Sequence, residues 1–195
     1  MPIYGLTGGI ASGKTVALQI FDKHGVDTID ADELARLVIE RGTEGARILE
    51  EAIGEQYFYD GALDRRLLRE DMYQFPSLKQ TVESIVHPLV RDALDKWIKK
   101  SSKSPYRILC SPLLIETNQH VTLDGVIVID TPESIQLERG ARRDSCAKDA
   151  FQKIITAQLP RHARLEHATL VVDNSGDFRS LFQQIHILHE KLSHD

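Results

Sequence analysis

Residues 8–15 read Gly8-Gly9-Ile10-Ala11-Ser12-Gly13-Lys14-Thr15 and satisfy the pattern G-x-x-x-x-G-K-[ST]. The chemistry such a run performs is phosphate binding. Glycines let backbone N–H groups turn inward around phosphate oxygens, and the N-terminus of a following helix adds partial positive charge. Lys14 would reach the β and γ phosphates of a nucleoside triphosphate, and Thr15 would offer its hydroxyl to Mg²⁺. The expected nucleotide contacts are therefore Gly8, Gly9, Ala11, Ser12, Gly13, Lys14, Thr15 and Val16. A glycine-rich turn with an incidental lysine is the competing reading, and the strand-loop-helix pattern around the motif counts against it.

A bound triphosphate does not say what receives its phosphate. Asp173-Asn174-Ser175-Gly176 fits the D-x-x-G of a GTP switch, but no guanine-reading N-K-x-D occurs, and too little chain is expected after Gly176 for the rest of such a domain. The run is read instead as a strand-to-helix turn that puts Asn174 near the adenine, or as a turn without ligand contact. Asp30-Ala31-Asp32 ends a second strand, at the carboxyl edge where ligands sit in open α/β sheets. Asp32 there could orient an acceptor hydroxyl and take its proton late. Either aspartate could instead cap the next helix, worth about 1 kcal/mol.

Arg139, Arg142 and Arg143 stand at i, i+3 and i+4 and share a helical face; Arg161 and Arg164 repeat the i, i+3 spacing. On a mobile helical lid such guanidiniums would close over ATP and neutralise transition-state charge, with Arg142 placed at the chemistry and Arg139 and Arg143 on the nucleotide. A solvated basic face pairing with Glu138, Asp144 or Glu166 is the alternative. Arg69, His87 and Arg91, by spacing alone, read as surface ion pairs and a proline helix start. The histidines form no metal pattern, since His194 lies one residue too far from His189-Glu190 for H-E-x-x-H. Cys110 and Cys146 lack C-x-x-C spacing.

The elements that must hold these residues follow from periodicity. Ile3 to Thr7 is a short apolar strand and Val16 to Phe21 is helical, with Gly25 as its stop. Val26 to Ile29 is a strand. From Glu33 to about Lys100 the pattern is helical throughout, with caps at Thr43, Asp64 and Ser77 and stops at Gly42 and Gly54. Tyr106 to Cys110, Gly125 to Asp130 and Thr169 to Val172 are further strands. Thr131-Pro132-Glu133 starts a basic helix with a hydroxyl cap and proline in the first turn, and Phe178 to Leu192 is amphipathic. Strands apolar on both faces, separated by long helical stretches, predict an α/β fold with a parallel sheet covered by helices.

The chain of 195 residues is 42% hydrophobic, enough for a sizeable core. Its 24 Lys and Arg against 29 Asp and Glu give a net charge of -5, which argues against a nonspecific nucleic-acid or anionic-membrane partner. The opening MPIYGLTGG has no charged segment before an apolar run, and two cysteines cannot make a disulfide framework. A cytoplasmic protein is expected, either a monomer or a weak homo-oligomer.

Taken in order, the motifs resemble the dephospho-coenzyme A kinase family nearly end to end. The likeness rests on GLTGGIASGKT at 5–15, IDADELAR at 29–36, DGALDRRLLRE at 60–70, HPLVR at 87–91, PLLIE at 112–116, the RD pair at 143–144, QLPRHAR at 158–164 and DNSG at 173–176. The resemblance implies a P-loop fold with a five-stranded parallel core (1–30, 104–131 and 168–195), a helical acceptor insertion (31–103) and a helical lid (132–167). It implies transfer of the ATP γ-phosphate to the ribose 3′-hydroxyl of dephospho-CoA, with Mg²⁺. Asp32 would be the base, and Arg69, His87, Arg91, Gln158 and Arg161 would meet the acceptor. Nucleoside-monophosphate kinases and nucleotide-dependent switches are the alternatives. Two departures stand out. Ala11 occupies a position where the family commonly has glycine, so its methyl is expected to need ordinary backbone angles. Cys110 stands where many members have aspartate, and sulfur suits a hard cation poorly, leaving Mg²⁺ to Thr15, phosphates, water and Asp32.

Overall fold

A computed structural model describes residues 1–194. In chain order the elements are β1 (Ile3–Thr7), α1 (Lys14–Lys23), β2 (Asp27–Asp30), α2 (Ala31–Leu37), α3 (Glu44–Ile53), β3 (Phe58–Tyr59), β4 (Ala62–Leu63), α4 (Arg65–Gln74), α5 (Pro76–Lys99), β5 (Arg107–Cys110), β6 (Gly125–Asp130), α6 (Glu133–Arg143), α7 (Lys148–Thr156), α8 (Arg161–Glu166), β7 (Leu170–Asp173) and α9 (Phe178–His194). They gather into two compact units, one made of residues 1–30 with 102 onward, the other of Ala31–Ser101. Residues 132–167 belong to the first unit.

The first unit is built on a five-stranded parallel sheet in the order β2-β5-β1-β6-β7. β5 is wholly buried and β6 is buried from Gly125 to Ile129, as strands covered on both faces must be. Leu6, Ile108, Ile127 and Ile129 from the sheet meet Ala17, Ile20 and Phe21 of α1 and Leu181 and Ile185 of α9. Each large apolar side chain among them contributes roughly 1.5–3 kcal/mol by leaving water. Helix α1 ends as its glycine demands. Gly25 takes φ 79°, and the N–H groups of Gly25 and Val26 return to Asp22 O and Phe21 O, closing the last turn. At the sheet edge the Arg107 guanidinium, 2% exposed, pairs with Asp27 directly opposite it in register, at 2.7 Å.

The second unit packs α3, α4 and α5 around Leu49, Ile53, Leu68 and Val82. Thr43 and Asp64 cap α3 and α4, accepting hydrogen bonds from Ala46 N and from Arg66 N and Leu67 N. Four expectations change here. The segment is not helical throughout: β3 and β4 form a hairpin whose turn residues, Asp60 and Gly61, both take positive φ (50° and 71°). An Asp-Gly pair is the residue choice for such a two-residue turn. Helix α2 stops at Leu37 rather than Gly42, because a pair of tight turns, Glu40 N to Leu37 O and Thr43 N to Glu40 O, intervenes. Helix α5 starts at Pro76, not at a Ser77 cap, and runs unbroken through Pro88, which was expected to open a helix. Pro76 sits in the first turn, where a missing N–H is harmless; Pro88 forgoes one internal bond within a helix held by Val82, Ile85, Val86 and Leu89.

Candidate active site

Strand β1 delivers the chain into the loop 8–13, and α1 begins at Lys14. A side chain at Gly8 would strike Ile129 O and Ser12 Oγ, and one at Gly13 would strike Asn174 while also needing φ 95°. Ala11 does not keep ordinary backbone angles: it adopts φ 56°. The loop geometry overrides the methyl group, at a local cost of about 1–2 kcal/mol. Lys14 folds back over the loop, its Nζ donating to Gly8 O and Gly9 O at 2.9 Å each. Thr15 and Val16 in the first turn of α1 are exposed.

The loop is tied to two neighbouring strand ends. Asn174 follows β7 and is 7% exposed; its Nδ2 donates to Ser12 O at 2.7 Å, and its backbone N–H donates to Asp130 O at the end of β6. Thr131, expected to cap α6, does something else. Pro132 is the N-cap, and the buried Thr131 hydroxyl lies 3.2 Å from Ser12 O and 3.3 Å from Asn174 O, where it can donate to either. Gln136 joins the same structure, with Nε2 donating to Thr131 O at 2.7 Å and its amide filling the space a side chain at Gly9 would need. Neither Thr131 nor Gln136 stands out in the sequence as a brace for the loop. Their one signal is position, immediately after a buried strand that ends at the ligand edge of the sheet.

The arginines do not form one cluster. Arg139 reaches the turn after β7, donating to Asn174 O at 2.8 Å and Gly176 O at 3.1 Å. Arg142 is exposed. Arg143 pairs with the adjacent Asp144 at 2.7 Å, and that hydrogen bond raises its pKa and lowers the aspartate's. Arg161 is held bidentately by Asp130, at 2.8 and 2.6 Å, which raises its pKa. Arg164 is buried and donates to Leu159 O, and burial lowers its pKa. Gln158, expected at the acceptor, accepts the Ile10 N–H of the phosphate loop at 2.7 Å.

Asp30 ends β2 opposite Cys110 in register, and Cys110 is buried. Asp32 lies in the first turn of α2, exposed, in the second unit. Arg69 on α4 and His87 and Arg91 on α5 are exposed. Among the described residues no group of three or more His, Cys, Asp or Glu is arranged to hold a metal. The exposed Thr15 hydroxyl in the first turn of α1 still suits Mg²⁺, which takes one or two protein oxygens and fills its octahedron with phosphate oxygens and water. A buried thiol at Cys110 would be excluded from such a shell.

A parallel sheet in this strand order, with a Lys-bearing phosphate loop after its first strand, defines the P-loop nucleotide-binding class. Solved structures agree on the fold: a Thermus thermophilus protein superposes with a TM-score of 0.81 at 26% identity, covering 98% of this chain and 97% of that one. A dephospho-CoA kinase from Campylobacter jejuni follows, with a TM-score of 0.70 at 23% identity over 100% and 98%. Within that class, the dephospho-CoA kinase family model matches residues 2–180. A dephospho-CoA kinase of Acinetobacter baylyi is 43% identical over 191 residues, 97% of each chain. This chain belongs to the dephospho-CoA kinase family. No helix among the described residues is long and apolar enough to cross a membrane.

Proposed function

We propose that the chain transfers the γ-phosphoryl group of ATP to the ribose 3′-hydroxyl of dephospho-CoA, giving coenzyme A and ADP. The observation that carries this is the family match over residues 2–180 joined to a phosphate loop whose lysine, glycines and bracing side chains are in place. The loop amides and Lys14 hold the phosphates, and the N-terminal turn of α1 adds its partial charge. Thr15 provides the hydroxyl for Mg²⁺; that ion, when bound, offsets charge on the β and γ phosphates. Arg139 and Asn174, already joined beside the loop, serve the adenine end of the nucleotide.

Asp32 acts as the base. In a loose phosphoryl-transfer transition state its work is to orient the 3′-hydroxyl and accept its proton late. Arg69, His87 and Arg91 present exposed donors suited to the anionic acceptor, Gln158 and Arg161 are further acceptor-binding residues, and residues 132–167 act as the lid, bringing Arg142 and Arg143 to the phosphates. The test is ADP release from ATP in the presence of dephospho-CoA, AMP, CMP, pantothenate or no acceptor, with the site of phosphorylation read from the product. Stimulation by dephospho-CoA alone is expected. Stimulation by AMP or CMP instead would make it a nucleotide kinase, and an acceptor-independent rate would make it a switch.

A further inference from the structure

Three histidines join the phosphate-loop helix α1 to the C-terminal helix α9. The ring of His24, the C-cap of α1, lies 4.8 Å from that of His189 with planes 15° apart, and 5.3 Å from that of His186 with planes 24° apart. Phe182 extends the stack, its ring 5.8 Å from His24 and 6.5 Å from His186. The hydroxyl of Tyr106, a residue with no exposed surface, stands 3.0 Å from His189 Nδ1. The same two helices share the apolar core, where Ile20 and Phe21 cluster with Ile185 and Leu188. His24 Nε2 is buried and has no hydrogen-bond partner among the described residues, while His186 is exposed to solvent.

Neutral imidazoles stack as other aromatic rings do, whereas two imidazolium ions at these separations repel. Few neighbouring charges could offset that repulsion. From α1 come Asp22 and Lys23, exposed and of opposite sign. From α9 come the exposed Lys191 and Glu190, the latter 3.9 Å from His194. From β5 come Tyr106, whose burial pushes its pKa up and keeps it uncharged, and Arg107, which is committed to Asp27. A first proton has a favourable seat on His24, beside the partly negative carbonyls that end α1. A second must go to a ring stacked on the first. On His189 it would also turn Nδ1 from an acceptor for the Tyr106 O–H into a donor, leaving that buried hydroxyl proton without its partner. Burial lowers the pKa of His189, His24 and His186 lower it further, and Glu190 opposes them.

We infer that the stack is a pH-dependent latch between α1 and α9, closed while at most one ring is charged and loosened when a second is. It sets how firmly the helix that begins at Lys14 is seated on the core. The unfolded chain takes up these protons near pH 6.5, and the folded stack resists them. The latch therefore holds above about pH 6.5 and weakens as the pH falls below it.

The test is the melting temperature of the purified full chain at pH 7.5 and pH 5.5, in wild type and in His24→Phe, with the imidazole titrations followed by NMR. Phenylalanine keeps a ring in the stack, forfeits no hydrogen bond at Nε2 and removes the central site of charge. Wild type should lose about 3–6 °C more than His24→Phe over that interval, since carboxylates titrate alike in both and cancel in the comparison. The His189 midpoint should rise by about half a pH unit or more in His24→Phe. His189→Gln, which keeps an acceptor for the Tyr106 hydroxyl, is the second variant should His24→Phe fold poorly, and it should shrink the acid loss by a similar amount. An acid loss equal in wild type and both variants overturns the inference. So does a His189 midpoint unmoved by His24→Phe, or a melting temperature lowered by the same amount at both pH values, which is the mark of a contact that does not sense protons.

Discussion

Lys14 and Arg139, at the phosphate-loop end of the first unit, have donors committed to backbone carbonyls, those of Gly8 and Gly9 for the lysine and of Asn174 and Gly176 for the arginine. Arg69, His87 and Arg91 on the second unit are exposed and make no hydrogen bond or ion pair among the described residues. Their neighbours behave differently, since Arg41 pairs with Asp60, Arg47 with Glu44 and Glu51, and Arg66 with Glu70. Under the proposed function the contrast would separate two ways of recognising phosphates. In the first unit the donors are held before any ligand arrives, so little order is lost on binding and the geometry suits chemistry. In the second unit the three proposed acceptor contacts are solvated and would pair with the anionic acceptor only when it binds, which would suit affinity and selection.

The largest expected effect tests the first half of that contrast. Lys14→Ala should lower kcat about 1000-fold or more and weaken ATP at least 10-fold, with a melting temperature within a few degrees of wild type. Asp32→Asn, in the exposed first turn of α2, should lower kcat about 100- to 10,000-fold with ATP affinity nearly unchanged. Full turnover by Asp32→Asn would remove its role as base. The second half predicts a different pattern. Arg69→Ala, His87→Ala and Arg91→Ala should each raise KM for dephospho-CoA about 10- to 50-fold while leaving ATP affinity and melting temperature unmoved. If ATP binding falls with them, the two regions do not divide the labour.

The difference between the regions also explains which features the sequence makes legible. The phosphate loop, the parallel sheet and the Asp30-Ala31-Asp32 end of β2 can be read because each is a local pattern of residue type and spacing. Thr131 reads as a cap because a Thr-Pro pair before a helix is locally sufficient for that reading. Its real partners, Ser12 O and Asn174 O, are 119 and 43 residues away in the chain. The spacing of the arginines on α6 correctly places them on one face. Whether each guanidinium meets a carbonyl, a carboxylate or water depends on the turn after β7 and on Asp144. The hairpin at residues 58–63 escapes the sequence reading although its Asp-Gly signal is present, because flanking helical periodicity outweighs two-residue strands.

Thr131→Val sharpens the claim that the loop is braced beforehand. The substitution keeps shape and removes the buried hydroxyl, while Ser12 O keeps Asn174 Nδ2 and Asn174 O keeps Arg139 as donors. The expected loss is about 1 kcal/mol, read as a fall of about 2–4 °C in melting temperature, with ATP weakened about three- to tenfold. Weaker ATP binding without a fall in stability would mean that Thr131 acts on the ligand and not through the loop.

Ala11→Gly is the finest probe, because it touches the loop's own strain. At φ 56° the alanine methyl costs about 1–2 kcal/mol in the folded state. Glycine removes that cost but gives the unfolded chain more freedom, worth about 0.4–1 kcal/mol in the opposite direction. The net expectation is a gain of about 1 kcal/mol or less, a rise of at most a few degrees in melting temperature. The effect on ATP affinity separates two accounts of pre-organisation. If alanine is simply tolerated, glycine leaves affinity unchanged. If the methyl narrows the loop to its binding shape, glycine weakens ATP severalfold even as the fold becomes more stable, and the rigidity inferred for the first unit resides partly in this strained residue.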